Sequence, residues 1–183
     1  MIKEINEDMS LSIKNFQLPK YEEIPKVGLY LEQTTKYISD FFESFEGINI
    51  TSSMVSNYVK KKLVSNPVKK QYGRDQIAYL IFIVVAKTVL SLDDISLFIE
   101  IQKTAYKIED AYGYFCFEFE NMLKQVFGLE YSLNTISADH SYEKNMLRNM
   151  VIAVANKIYL DKCCQILREE KNKLNRGSEK SYL

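Results

Sequence analysis

Apolar positions set the first pattern in the chain. From Val27 to Phe45 the stripe Leu31, Thr34/Thr35, Ile38, Phe41/Phe42 and Phe45 repeats at three and four, which predicts an amphipathic helix that Gly47 can stop. Thr51 then offers a capping hydroxyl to a short helix, SSMVSNYVKK, with Val55, Tyr58 and Val59 on one face and Ser53, Ser56, Asn57 and Lys60 on the other. The stretch Leu63 to Tyr72, LVSNPVKKQY, is too short for a helix. Its Asn66-Pro67 turn signal between Val64 and Val68 predicts a strand-turn-strand.

Further along, Asp75 is placed to cap an apolar helix from Gln76 to Leu90. Its run Ile77 to Leu90 is 14 residues long and includes Lys87, short of the roughly 20 needed to span a bilayer, so a buried central helix is expected. Ser91 with Asp94 resembles a capping box for a helix over Leu92 to Gln102. An aromatic-rich helix from Ala105 to Phe127 should stop at Gly128 and a turn region should follow at Glu130 to Ala138. A last helix is expected from Asp139 to Leu174, with Leu147, Met150, Val151, Val154 and Ile158 as its stripe. Ahead of all these, LPKYEEIP is bracketed by Pro19 and Pro25, which disfavour helix in the residues before them. The predicted fold is mostly α. An N-terminal arm covers 1–25, a helix-wing-helix domain 26–103 and an all-helical C-terminal module 104–183, with the boundary at the composition shift near residue 104.

Composition narrows the function classes. Of 183 residues, 24 are basic and 24 acidic, so net charge favours neither a nucleic-acid coat nor a membrane-surface protein. Cys116, Cys163 and Cys164 form neither a disulfide framework nor a zinc pattern, and the acidic N-terminus has no secretory apolar stretch; a cytoplasmic protein is expected. Phosphate-cradling glycine loops, nucleophile elbows and zinc-binding helices are all missing from the sequence, which argues against an enzyme and for no cofactor or bound metal.

Charge is nonetheless uneven. From Gly47 to Arg74 there are six basic residues, Lys60, Lys61, Lys62, Lys69, Lys70 and Arg74, and no acidic one. Such a patch attracts a phosphate backbone whatever its base sequence, through release of condensed counterions. Short polar side chains on a helix can enter the major groove, where asparagine pairs with adenine. The expected DNA-binding set is therefore Ser52, Ser53, Ser56, Asn57, Lys60, Lys61, Lys69, Lys70 and Arg74, with the apolar helix behind it as scaffold.

The order of elements resembles the winged helix-turn-helix of MerR-like regulators, in Tyr58, Leu63-Val64, Lys69-Lys70-Gln71-Tyr72, Asp75-Gln76-Ile77 and Leu90-Ser91-Leu92-Asp93-Asp94-Ile95. That resemblance implies a transcriptional regulator on double-stranded DNA. More closely, LPKYEEIP with Tyr30, ITSSMVSNYVKKKLV, PVKKQY and AYLIFIVVAKTVLSLDDI resemble the bacterial family called domain of unknown function 1836, over about residues 18 to 125, a family that implies no activity. Two positions depart from the MerR-like pattern. Lys62 stands where that pattern has glycine, and a lysine at positive φ costs on the order of 1 kcal/mol, so the turn there is expected to differ. A heptad continued from Leu147, Val151, Val154 and Ile158 reaches Asp161 and Gln165, which suits a bundle helix better than a coiled coil.

Plainer readings stand beside these. Lys60 to Lys62 is also what a solvated helix C-terminus looks like. Tyr106, Tyr112, Tyr114, Phe115, Phe117 and Phe119 spread over several faces and belong mostly to the core, though some can line an effector pocket. His140 reads as a surface residue, and Cys163 and Cys164 point about 100° apart on a helix, which makes packing their default role. The alternative function is a protein-interaction or small-molecule effector-binding module; a homodimer and an effector both remain open as partners, and a membrane is not expected.

Overall fold

An apolar run without a polar face is stable as a helix only when covered on all sides, and that condition sets the architecture. The computed structural model describes residues 9–10, 13–129 and 141–179. It is mostly helical, and α3 (Arg74–Ala86) lies at its centre, with Ile77, Ala78, Leu80, Ile81, Ile83, Val84, Val85 and Ala86 buried. Around α3 pack α1 (Leu31–Phe41), α5 (Ile108–Val126) and α6 (Tyr142–Glu179); α2 (Ser52–Lys60) lies on α1, and α4 (Leu92–Ala105) on α5. No described helix is long and apolar enough to cross a membrane.

Local chemistry fixes most element ends. The Thr51 hydroxyl accepts from the Met54 N–H at 3.3 Å, and the Ser91 hydroxyl accepts from the Asp94 N–H at 3.1 Å, so both caps stand where their side chains predict. Helix α5 ends at Val126 and is followed by Gly128 at φ +73°. Several boundaries differ from expectation by a few residues, among them two helix starts. Helix α1 begins at Leu31 instead of Val27, because Leu29–Tyr30 forms strand β1. The cap of α3 is Gly73, whose N–H donates to Gln76 Oε1 at 2.8 Å, while Asp75 sits in the first turn and accepts from the Tyr21 hydroxyl.

Strand β2 (Gln71–Tyr72) pairs antiparallel with β1, Leu29 opposite Tyr72 and Tyr30 opposite Gln71. A Cβ on Gly28 would stand 2.8 Å from the Gln71 Cβ, so only glycine lets the two strands approach here.

Contacts between α5 and α6 advance together along both helices: Lys144 over the Tyr114 ring, Arg148 on Glu118, Tyr159 against Phe127. The two helices therefore run parallel. A single cluster of buried residues runs from Met9 to Ile158 and draws on all three segments expected from the sequence. Leu18 and Ile24 belong to it, and the Leu18 N–H donates to Glu120 Oε1 at 2.8 Å, which fastens the chain before α1 onto α5. Between the two prolines the backbone makes a 3-10 turn at Tyr21–Glu23.

Candidate nucleic-acid interface

Helix α2 has two faces set by spacing. Val55 and Tyr58 are buried and attach it to the core, and Ser53, Ser56, Asn57 and Lys60, three and four apart, lie on the outer side. Ser53, Ser56 and Asn57 are exposed there. Ser52 is half-buried, and its carbonyl accepts the Ser56 hydroxyl proton at 2.9 Å. That leaves the Ser56 oxygen outward as an acceptor. Lys87, at the end of α3, reaches across to the Asn49 carbonyl at 2.9 Å and so holds the loop that leads into α2; burial lowers its pKa from the usual lysine value.

The end of α2 is a Schellman turn. The Lys62 N–H donates to the Val59 carbonyl and the Leu63 N–H to the Tyr58 carbonyl, both at 3.0 Å, with Lys62 at φ 60°. The expectation of a different turn is therefore corrected: lysine takes the left-handed position usually held by glycine. Buried Leu63 anchors the turn from below, and Lys61 and Lys62 are left exposed on the surface.

The strand-turn-strand expected over Leu63 to Tyr72 is largely replaced. Val64 is buried in the core and forms no strand, and Pro67 has no N–H to give a ladder. What remains is one tight turn, in which Val68 and Gln71 exchange both backbone hydrogen bonds at 3.0 and 2.9 Å around Lys69 at φ 50° and Lys70 at φ 66°. Positive φ at both central positions defines a type I′ turn, which ordinarily calls for Asn-Gly. The strand partner of Gln71–Tyr72 is Leu29–Tyr30, far back in the chain. From α3, Gln76 Nε2 donates to the carbonyls of Ser65 and Asn66 at 2.8 and 3.2 Å and steadies the approach to the turn.

The expected contact residues are thus distributed as follows. Ser53, Ser56, Asn57, Lys61, Lys69 and Lys70 are exposed, Lys60 is exposed at the helix end, and Lys62, absent from the expected set, joins them. Its adjacency to Lys60 and Lys61 was the available signal. Lys61 is 3.2 Å from Asp93 in a solvent-exposed pair, which is worth little. Arg74 is turned inward instead. Its Nε donates to the Ile24 carbonyl at 2.8 Å, Nη2 to that of Glu22 at 2.9 Å, and the guanidinium lies 5.3 Å from the Tyr21 ring centroid. It staples the pre-α1 segment to α3. Burial, and then the neighbouring Asp75 carboxylate, push the Tyr21 pKa up to about 12.

The remaining chemistry-bearing residues fall elsewhere. Phe119 is fully buried and stacks on Phe115, with centroids 5.9 Å apart, while Phe117 is half-buried. Cys116 is buried, Cys163 half-buried and Cys164 exposed, all as free thiols. No group of three metal-ligating side chains gathers among the described residues. His140 lies outside the described residues.

The family model described as a domain of unknown function (DUF1836) matches residues 19–115, more than half of the chain, including all of α2 and the Val68–Gln71 turn. No curated protein and no solved structure matches it.

Proposed function

We propose that the chain, which belongs to the family described as a domain of unknown function (DUF1836), is a DNA-binding transcriptional regulator. In this reading α1 and α2 are the helix-turn-helix of a MerR-like winged domain, α2 lies in the major groove, and the Val68–Gln71 turn is a short basic wing against the phosphate backbone.

One observation carries the reading. The three non-glycine residues with positive φ among the described residues are Lys62, Lys69 and Lys70. Glycine or asparagine would hold each of these positions with less strain, by on the order of 1 kcal/mol apiece. Strain kept at a surface turn is a pointer to use of the side chain that causes it. What the three have in common is an exposed ammonium group, within the stretch Gly47 to Arg74 that has no acid. Ser53, Ser56 and Asn57, with short side chains on the exposed face of α2, supply donors and acceptors for base edges beside that charge.

The direct test is fluorescence anisotropy of a labelled duplex titrated with the protein. Wild type is expected to bind, and the pair Lys69→Glu with Lys70→Glu to bind at least about tenfold more weakly, since both charges reverse at the backbone contact. Equal affinity for wild type and variant removes the reading.

A further inference from the structure

A cavity of about 230 Å³ opens where α3, α4, α5 and α6 meet, walled chiefly by Tyr79, Phe82, Phe98, Tyr106, Phe115 and Leu147. Small-molecule sites are concave and lined mostly by apolar and aromatic side chains, and this wall is of that kind. The cavity lies away from α2 and from the Val68–Gln71 turn, and the inference from it stands whether or not that basic face binds DNA.

We propose that this cavity is a binding site for a neutral aromatic molecule of one or two fused rings. Size comes first: an apolar cavity of about 150 Å³ stays dry and takes up benzene, so the larger volume here suits a ligand such as indole or naphthalene. Chemistry comes second. Several polar groups on the wall already serve one another: the Tyr79 hydroxyl donates to Gln102 Oε1 at 2.8 Å, Gln102 Nε2 donates to the Tyr106 carbonyl at 2.7 Å, and the Tyr106 hydroxyl lies 3.2 Å from that of Ser141. The Tyr112 hydroxyl, buried without a hydrogen-bond partner among the described residues, is left to meet a single polar group of an occupant such as the indole N–H, and the other aromatic side chains present ring edge and ring face. Phe82 and Phe115 stand edge-to-face, centroids 5.3 Å apart at 86°, the geometry in which a third ring adds to an aromatic cluster.

Charge comes third. Lys144 Nζ lies 5.9 Å from the Tyr106 ring centroid and 5.4 Å from that of Tyr114, so an ammonium of the protein already occupies the cation-binding faces. A cationic ligand would meet that ammonium, and an anionic one would meet the carboxylates of Asp110 and Glu143, which also line the cavity. Neither sign is favoured, and the neutral ring is.

The test is isothermal titration of the full chain, without DNA, so that its outcome is independent of the DNA-binding reading. Indole and naphthalene are expected to bind saturably at one site, and benzyltrimethylammonium and benzoate at least about tenfold more weakly. Ala111→Leu adds bulk from a half-buried position on the cavity wall and should weaken indole binding at least about tenfold. Leu147→Phe, on the opposite helix, gives a second filling variant should the first not fold, folding being checked by circular dichroism. Saturable binding lost in a folded filling variant supports the site. Failure of both neutral ligands to bind, equal binding of the charged ones, or undiminished binding by a folded filling variant each overturns it.

Discussion

Arg148 holds the buried carboxylate of Glu118 with two hydrogen bonds, Nη2 to Oε1 at 2.7 Å and Nε to Oε2 at 3.2 Å, and so locks α6 onto α5 in parallel register. The Glu118 side chain is only 5% exposed, and the Tyr114 hydroxyl also lies within reach of the guanidinium. The Glu118 contact keeps the Arg148 pKa above the usual arginine value. A two-pronged pair whose carboxylate is this dry, though its guanidinium is partly exposed, is fixed in geometry and costly to break from the arginine side.

Removing one partner therefore strands a charge. Arg148→Ala is expected to cost about 3–5 kcal/mol of folding stability, whereas Glu118→Leu combined with Arg148→Leu should cost much less, because no ion is left buried. Urea denaturation midpoints of wild type and both variants check this. A single variant no worse than the double would show the pair to be dispensable for stability.

Lys62 offers a test in which two readouts move in opposite directions. Lys62→Gly relieves the left-handed strain and should raise stability by about 1 kcal/mol, while removing one cation from the basic face and weakening binding to a duplex. Thermal unfolding and anisotropy on the same preparation give both numbers. Lys62→Ala removes the charge and keeps the strain, so it should weaken binding without the gain in stability.

Two of the three thiols should separate cleanly. Burial pushes the Cys116 pKa up to about 12, so at neutral pH almost none of the reactive thiolate is present there. Cys164 is exposed. In native protein a thiol reagent should label Cys164 promptly and leave Cys116 untouched until denaturant is added. Because the pKa is raised, Cys116 labelling should not accelerate until the pH approaches that value. Mass spectrometry of labelled peptides reads the order, and early labelling at Cys116 would show that the α5 core opens.

What the sequence made legible was local. Thr51, Ser91 and Gly128 end their helices through nearby groups, and the helix holding Ile77 to Ala86 had no polar side to expose, so caps and burial could be read without a structure. The outer face of Ser53, Ser56, Asn57 and Lys60 follows from the helical repeat alone. The rest depends on residues that meet from far apart. Nothing local pairs Leu29 with Tyr72, seats Arg74 on the carbonyls of Glu22 and Ile24, or joins Glu118 to Arg148 at a separation that no helical period contains. The Lys62 turn escapes the sequence for another reason: the local cost of a left-handed lysine is offset by the buried Leu63 beside it and the two backbone hydrogen bonds that hold it there.

The most direct test of the basic face is the salt dependence of duplex binding. Each lysine that neutralises a phosphate contributes about 0.9 to the negative slope of log affinity against log salt, so wild type should show a steep slope. Lys69→Ala with Lys70→Ala should flatten it by about 2, and Asn57→Ala should leave it unchanged. A wild-type affinity that does not respond to salt, or a slope the same with and without Lys69 and Lys70, would contradict DNA binding by this face.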